Sequence, residues 1–174
     1  MTTSGFIPAI ADNGDLYPIE KMQAHREAVF HLAVSVFVFD ESGALLIQRR
    51  ADEKYHCGGM WANTCCTHPH WNEAMADCAM RRMEEEMGLS VPLTERGVIE
   101  YSADVGGGLH EHEKVTLFVG TVNRDSVETN LNPEEVSEVR WIGRDDLFSE
   151  VRADPDRFTP WFRIYLERFP TLEI

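Results

Sequence analysis

The chain of 174 residues lacks an excess of positive charge and any long apolar run. Sixteen Lys and Arg stand against 30 Asp and Glu, a formal net charge of −14, and an acidic chain is a poor partner for nucleic-acid phosphates. No apolar run approaches the roughly 20 residues that span a bilayer, and residues 1–8 lack the basic and apolar regions of a secretory signal. We therefore expect no nucleic-acid partner, no membrane segment and no cleaved leader.

Cysteine is also scarce, with four residues at positions 57, 65, 66 and 78. They are too few and too clustered for the disulfide framework of a small secreted domain. We therefore expect a reduced, cytoplasmic protein. A hydrophobic content of 43%, without an internal repeat or linker, predicts one domain over residues 1–174.

The periodicity of the chain alternates between strand and helix. Asn13-Gly14 predicts a hairpin over residues 6–20. Strands are predicted over 31–39, 44–50, 98–105, 110–122 and 136–142, and a helical segment from Glu20 to about Phe30. A longer helix is predicted over 73–87, with Asn72 as its N-cap and Gly88 as its stop, and a last one from Pro160 to Phe169. These patterns indicate a mixed α/β (α+β) domain.

Two thiols and an imidazole lie close together in Trp61-Ala-Asn-Thr-Cys65-Cys66-Thr-His68, which we expect to be the end of a short strand. Side chains alternate along a strand, so Cys66 and His68 share one face and Cys65 lies on the other. Three interpretations stand at this point: a nucleophile or acid pair, part of a metal site, or a buried pair without chemistry.

Charged residues on two other elements leave similar alternatives. Glu111 and Glu113 share a strand face with Val115, so they are either buried with a partner or metal, or solvated beyond the core. Arg82 and Glu86 lie beside the apolar stripe of the long helix. They either face a site or form an ordinary surface salt bridge at i,i+4 spacing.

The helix carries Thr67-x5-Glu73-x7-Arg81-Arg82-Met83-x-Glu85-Glu86-x-Gly88-Leu89. This resembles the Nudix box, with Thr67 in place of a glycine and Arg82 in place of a glutamate. In Nudix hydrolases the glutamates of this helix bind divalent ions that help to cleave a diphosphate. The arginine therefore disfavours hydrolysis but is compatible with diphosphate binding.

A longer ordered set resembles the type I isopentenyl-diphosphate Δ-isomerases, which have the Nudix fold. Its members are His25, His31, Arg49-Arg50-x3-Lys54, Gly59-x-Trp61-x-Asn63-x2-Cys66-x-His68-Pro69, the altered box, Tyr101, Glu111-x-Glu113 and Thr159-Pro160-Trp161. The resemblance implies a Nudix-like mixed β-sheet sandwiched between helices, with a short N-terminal hairpin. It also implies the interconversion of isopentenyl and dimethylallyl diphosphate in isoprenoid biosynthesis.

The resemblance further implies two metal positions. One divalent ion, Mn²⁺, Mg²⁺ or Zn²⁺, would be held by His25, His31, His68, Glu111 and Glu113, donors that suit such ions. The diphosphate would be bound by Arg50, Lys54 and Arg82, together with a Mg²⁺ held by Glu86. The expected partner is a small-molecule prenyl diphosphate, and the oligomeric state stays open between monomer and homodimer.

By the same resemblance, Cys66 and Glu113 would form the catalytic acid–base pair, with the assignment of acid and base left open. Tyr101 would hydrogen-bond near the carboxylate. Trp161, a stronger match than Trp61, would offer its π face to a carbocation, although a tryptophan that only packs in the core is an ordinary alternative.

Two further functions compete with the isomerase. A Nudix diphosphate hydrolase is favoured by Glu73, Glu85 and Glu86, but it is opposed by Arg82 and gives Cys66 no role. A non-catalytic module that binds prenyl diphosphates is the third interpretation. The presence of both acid–base candidates argues against it.

Overall fold

The computed structural model describes residues 5–174, so the first four residues of the predicted domain lie outside the described part. The strands are β1 Phe6–Ile10, β2 Leu16–Glu20, β3 His31–Asp40, β4 Leu45–Arg50, β5 Trp61–Ala62, β6 Cys65–Thr67, β7 Thr94–Gly106, β8 Leu109–Val122 and β9 Val136–Ile142. The α-helices are α1 Lys21–Arg26, α2 Met75–Met87, α3 Arg144–Ala153 and α4 Pro160–Arg168, with short 3₁₀ turns at Arg124–Ser126 and Pro155–Arg157.

Strand β3 is the centre of the sheet. Along one edge it pairs in parallel with β8, from His31 opposite Glu113 to Asp40 opposite Val122. Its other edge pairs antiparallel with β1, β6 and β4 in turn. Strand β7 extends the sheet beyond β8, and β5 and β9 pair with β4. The sheet is therefore mixed, as predicted, and its N-terminal hairpin is β1–β2.

Alternation along β3 creates a core on each face of the sheet. Ala33 and Phe37 pack on the side of α4, with Trp161 and Phe162. The intervening residues, such as Val36, pack on the side of α2 with its buried stripe, Cys78, Ala79, Met83 and Met87. Successive side chains of a strand point to opposite faces, so this run of β-branched and aromatic residues is covered on both sides. The predicted sheet between helices is confirmed.

Three local predictions were wrong at their boundaries. Ala74, not Asn72, is the N-cap of α2. Asn72 has a left-handed backbone with φ +66°, whereas an N-cap residue is typically extended. Gly88 ends α2 as predicted, at φ +61°. Helix α1 ends at Arg26, short of Phe30, and α4 ends at Arg168, one residue short of its predicted end.

The segment from Trp61 to His68 forms two short strands rather than one. The break has a physical cause in the side chains of Asn63 and Thr64, which bond to neighbouring strands. Thr64 Oγ1 accepts from the Val38 N–H at 2.9 Å and donates to the Leu46 carbonyl at 2.6 Å. Asn63 Nδ2 donates to the Val36 carbonyl at 3.1 Å. These bonds replace regular strand pairing at the two positions.

None of the helices within residues 5–174 is both long and apolar enough to cross a bilayer. All four cysteines are free thiols in the structure, and the predicted reduced state stays a prediction. The predicted cytoplasmic location stays a prediction.

Candidate active site

Four elements bring three imidazoles and a carboxylate together. His25 lies on α1, His31 opens β3, His68 follows β6 directly, and Glu113 lies on β8. The parallel register of β3 and β8 places His31 beside Glu113. Nitrogen and oxygen atoms from the four side chains lie within 4.8 Å of one another. A cluster of this kind is the arrangement predicted for a metal site.

Backbone carbonyls orient two of these imidazoles. His25 Nδ1 donates to the Lys21 carbonyl and His31 Nδ1 to the Val29 carbonyl, both at 2.7 Å. Within the described residues, Nε2 of His25, Nε2 of His31 and Nδ1 of His68 are buried without a hydrogen-bond partner. Leaving such atoms unpaired is costly. A histidine that binds a metal through one ring nitrogen commonly donates the N–H of its other nitrogen to a carbonyl or a carboxylate, as His25 and His31 do here.

The protonation of the cluster also fits a cation. Burial lowers the pKa of His25 to about 4 and that of His68 to about 3. Both imidazoles are therefore neutral at pH 7, the form that binds metal. His68 Nε2 lies 2.8 Å from Glu113 Oε1, and His31 Nε2 lies 3.4 Å from the same oxygen. The residues present fit a divalent ion.

Glu111, the fifth ligand implied by the resemblance, belongs to a second cluster. Donor atoms of His25, His56 and Glu111 also lie within 4.8 Å of one another. Sequence reasoning missed His56, which lies in the loop between β4 and β5. Its only signal is proximity to the basic segment ending at Lys54, because a loop offers no periodicity from which to infer a facing direction.

Glu111 and Glu113 both point into the protein and are each 4% exposed, which settles the alternative that they lie in water. The Tyr101 hydroxyl is 2.7 Å from Oε2 of each carboxylate. Burial and the neighbouring Glu113 raise the pKa of Glu111 well above its usual value. Burial also opposes ionisation of Glu113, but His31 and His68 outweigh it and hold the pKa of Glu113 well below normal.

Glu111, whose raised pKa favours its protonated form, and Glu113, whose lowered pKa favours its ionised form, both contact the hydroxyl of Tyr101. The hydroxyl has one proton and can donate to only one carboxylate, so the second contact requires a carboxylic acid as donor. This network places a proton between the two glutamates.

The two adjacent thiols lie on opposite faces of the sheet, as strand alternation predicts. Cys66 Sγ donates to Asn63 Oδ1 at 2.8 Å and lies 3.3 Å from Ser35 Oγ. Burial raises the pKa of Cys66 to about 12, so the group is a thiol at neutral pH. Cys65 packs in the core against α2, with Sγ 3.6 Å from Glu86 Oε2.

A group of basic side chains borders this pocket. Lys54 is ion-paired with Glu135, and Arg82 lies 2.7 Å from Glu86 Oε1 and 3.3 Å from Glu135 Oε1. Arg82 and Glu86 thus form a salt bridge with each other and also line the pocket, so both of the predicted alternatives are present. Lys21, which sequence reasoning did not select, lines the same pocket. Burial, followed by the nearby arginines, lowers the pKa of Lys21 to about 8.

The predicted aromatic residue of the pocket is Trp161 rather than Trp61. Trp161 is 1% exposed and lines the pocket. Arg50 lies with its guanidinium carbon 5.2 Å from the Trp161 ring centroid and donates to the His56 carbonyl at 3.1 Å. Trp61 is instead covered by Arg140, whose guanidinium carbon is 4.5 Å from that ring.

The pocket that contains the acid–base candidates has a volume of about 30 Å³. Five of its residues also line an adjacent cavity of about 210 Å³: Lys21, Lys54, Thr67, His68 and Arg82. A larger groove of about 700 Å³ lies near the C-terminal residues, but none of the described residues lining it is histidine or cysteine. The titratable groups therefore favour the two smaller, connected cavities.

All three glutamates of the altered Nudix box, Glu73, Glu85 and Glu86, are engaged by arginine. Glu73 binds Arg81 through both carboxylate oxygens, at 2.6 and 2.8 Å. Glu85 lies 3.1 Å from Arg81 and 2.9 Å from Arg82. Of the three glutamates, Glu86 alone lines the pocket. This arrangement weakens the case for a hydrolase that binds several ions on this helix.

Comparisons with known proteins agree with this geometry. Residues 29–162 match the NUDIX domain family model. An isopentenyl-diphosphate Delta-isomerase of Jannaschia sp. is 53% identical, over 90% of this chain and 89% of the relative. One from Cereibacter sphaeroides is 52% identical over 92% and 89%. The crystal structure of a MutT protein from Methanosarcina mazei Go1 shares the fold, with a TM-score of 0.65 at 18% identity over 81% and 93% of the two chains.

Proposed function

The chain belongs to the isopentenyl-diphosphate Delta-isomerase family of NUDIX-domain proteins, and from that membership we propose how its own residues isomerise isopentenyl diphosphate to dimethylallyl diphosphate. One observation carries the proposal. Cys66, Tyr101 and Glu113 line a single buried pocket that continues into a cationic cavity. The acid–base candidates of the pocket can face the hydrocarbon once the side chains move apart, and the cations of the cavity suit a diphosphate.

The diphosphate is bound by the cations of the outer cavity. Lys21, Lys54 and Arg82 line both spaces, so they can contact phosphate oxygens while the hydrocarbon lies beyond them. Arg50 borders the inner pocket, and Glu86 offers a carboxylate for a Mg²⁺ that accompanies the diphosphate. Charge-assisted contacts of this kind allow a strongly acidic protein to bind a polyanion.

The proton moves between the substrate and the pair formed by Cys66 and Glu113. The resting pocket has a thiol at Cys66 and an ionised carboxylate at Glu113. These states match proton delivery to the terminal alkene carbon by Cys66 and removal of a proton from the neighbouring methylene by Glu113. The roles are exchanged in the reverse direction. Tyr101 holds the Glu113 carboxylate in place.

The carbocation formed between the two proton transfers needs protection from water and a source of electron density. Trp161 borders the pocket with its ring system, which can stabilise a cation through its π face. A volume of about 30 Å³ holds about one water molecule, so side chains must move apart to admit the substrate. The substrate then fills the space that water would occupy.

His25, His31, His68 and Glu113 would hold a divalent ion, whose positive charge would fix the Glu113 carboxylate and favour its ionised form. Imidazole donors suit Zn²⁺ and carboxylate donors suit Mn²⁺, so a set that combines both is less typical of Mg²⁺. We therefore propose one of these two ions at the histidine cluster and Mg²⁺ at the diphosphate.

The test is incubation of the purified protein with isopentenyl diphosphate, Mg²⁺ and Mn²⁺ in D₂O, followed by NMR. We expect dimethylallyl diphosphate with deuterium at C2 and in the new methyl group, and loss of turnover in Glu113→Gln. Release of phosphate would overturn the proposal in favour of a hydrolase. Binding without any turnover would overturn it in favour of a binding module.

A further inference from the structure

His56 is buried in a way that hydrogen bonding does not explain. Its side chain is 3% exposed, and its ring packs edge-on against Tyr55 and Trp161, at centroid distances of 4.3 and 5.5 Å. In the part of the chain that the structure describes, neither of its ring nitrogens has a hydrogen-bond partner. A ring that served only for packing would leave two polar atoms unsatisfied, which native interiors rarely tolerate.

His56 lies close to a second imidazole and a carboxylate, those of His25 and Glu111. Its Nε2 lies 3.4 Å from Glu111 Oε1, which is long for a hydrogen bond. Donor atoms of His25, His56 and Glu111 all lie within 4.8 Å of one another. Ligands on opposite sides of an ion with bonds of about 2.1 Å are separated by about 4.2 Å. The spacing is therefore close to what one ion requires.

His25 is shared by this cluster and by the four-residue cluster of His25, His31, His68 and Glu113. Its Nδ1 is used in the bond to the Lys21 carbonyl at 2.7 Å, which leaves Nε2 as its only ligand atom. A neutral imidazole nitrogen has one lone pair and binds one ion. His25 can therefore join the two clusters at one ion, but it cannot bind a separate ion in each cluster.

We propose that His56 is an additional ligand of this ion, which then has four imidazoles, those of His25, His31, His56 and His68, and the carboxylates of Glu111 and Glu113. The inference rests on the metal site included in the proposed function and extends its ligand set. A nitrogen-rich set of this kind favours Zn²⁺, Fe²⁺ or Co²⁺ over Mg²⁺. Because Arg50 donates to the His56 carbonyl, the same loop also links the metal to the basic side of the pocket.

The test uses His56→Phe, which retains a ring against Tyr55 and Trp161 but removes both nitrogens. We expect the metal-free variant to melt at the same temperature as the parent protein or higher, because two unpaired nitrogens are gone. We expect its affinity for Co²⁺ to fall at least about tenfold. X-ray absorption of the Co²⁺-loaded proteins should count four imidazoles in the parent and three in the variant. His110→Gln on β8 is the control and should change neither quantity.

Three imidazoles in the parent protein, with unchanged affinity in His56→Phe, would overturn the inference and leave the isomerase assignment untouched. Two Co²⁺ ions per chain without diphosphate would overturn the single coordination sphere. His68→Ala separates the two levels of the argument. If that variant still binds Co²⁺ like the parent, the four-residue metal site of the proposed function fails, irrespective of His56.

Discussion

The two faces of the central sheet differ most sharply at β6, where Cys65 and Cys66 are neighbours. On the α2 face, Cys65 is fully buried among apolar residues such as Val36 and Met83. On the α4 face, Cys66 lies half-buried beside a pocket lined by Glu111, Glu113 and His68. Two neighbouring thiols thus have different surroundings: Cys65 packs in the core and Cys66 lines the pocket.

The two faces also differ in whether their buried polar atoms have hydrogen-bond or ion-pair partners. On the α2 side, the buried carboxylate of Glu86 is matched by Arg82 at 2.7 Å. On the α4 side, imidazole nitrogens within residues 5–174 lack partners and two carboxylates share one hydroxyl. Buried polar atoms without partners are rare in native proteins, and a cluster of them indicates a place where a ligand or an ion binds. Arg82 and Glu86 also line the pocket, so the comparison separates buried polar groups that are already paired from those that lack a partner.

The largest expected effect comes from replacing each of the two cysteines in a separate variant. Cys66→Ala should lower kcat by about 10³-fold or more, the range for loss of a positioned acid or base. Cys65→Ser should retain most activity, because Cys65 faces α2 and its hydroxyl replacement can donate to Glu86. Steady-state kinetics with isopentenyl diphosphate, together with circular dichroism to confirm folding, measures both. An active Cys66→Ala or an inactive but folded Cys65→Ser would contradict the comparison.

The next effect concerns the hydroxyl that the two glutamates share. Tyr101→Phe removes a group within 2.7 Å of both carboxylates but keeps the ring in its core position. We expect kcat to fall by about 30-fold, corresponding to about 2 kcal/mol for a hydrogen bond to a charged group, with KM nearly unchanged. Tyr17→Phe, at an exposed tyrosine, is the matched control. An unchanged kcat in Tyr101→Phe would mean that the hydroxyl is only structural.

Much of this site follows from local pattern. Strand alternation places Cys66 and Cys65 on opposite faces, and the period of two turns Glu111 and Glu113 to the same side of β8. The β-branched run of β3 predicts the central strand. Two-residue periodicity depends only on the backbone, so these features can be inferred without knowing which strands pair.

The residues that sequence reasoning missed lie outside such patterns. His56 is in the loop between β4 and β5, and Glu135 precedes β9. Lys21 begins α1 and reaches the pocket because β1 joins the sheet beside β3. Their positions depend on pairing between distant segments and on loop paths, for which the sequence has no periodic signal. The same reason explains why the break at Asn63 and Thr64 was not predicted.

The third effect is on the stability of the metal-free protein. An unfolded histidine takes up a proton near its ordinary pKa of 6.5, but folded His25 resists protonation until about pH 4. Between these values the unfolded state binds more protons, so stability falls as the pH is lowered. His25 alone contributes about 1.4 kcal/mol per pH unit. Urea unfolding at several pH values in the presence of a chelator measures this slope, and we expect His25→Phe to reduce it by that amount.

A substitution on the other face is the control for that slope. Met83→Ala removes a fully buried side chain on the α2 side and should lower the free energy of unfolding by about 2–5 kcal/mol. This loss should be the same at every pH, because no titrating group is removed. A pH slope altered equally by both substitutions would show that the two faces are not energetically distinct.

The smallest effect tests how the free protein stabilises its basic cavity. Glu135 pairs with Lys54 and Arg82, two of the cations proposed to bind the diphosphate, so we expect its carboxylate to compete with the substrate. Partly exposed ion pairs contribute about 1 kcal/mol, and Glu135→Gln should therefore lower KM and tighten inorganic diphosphate binding by about fivefold. Glu134→Gln, at the exposed neighbouring residue, should change neither. A higher KM in Glu135→Gln would show instead that Glu135 positions Lys54 and Arg82 for the diphosphate. Paired charges would then contribute to substrate binding, as the unpaired groups around Cys66 are expected to do.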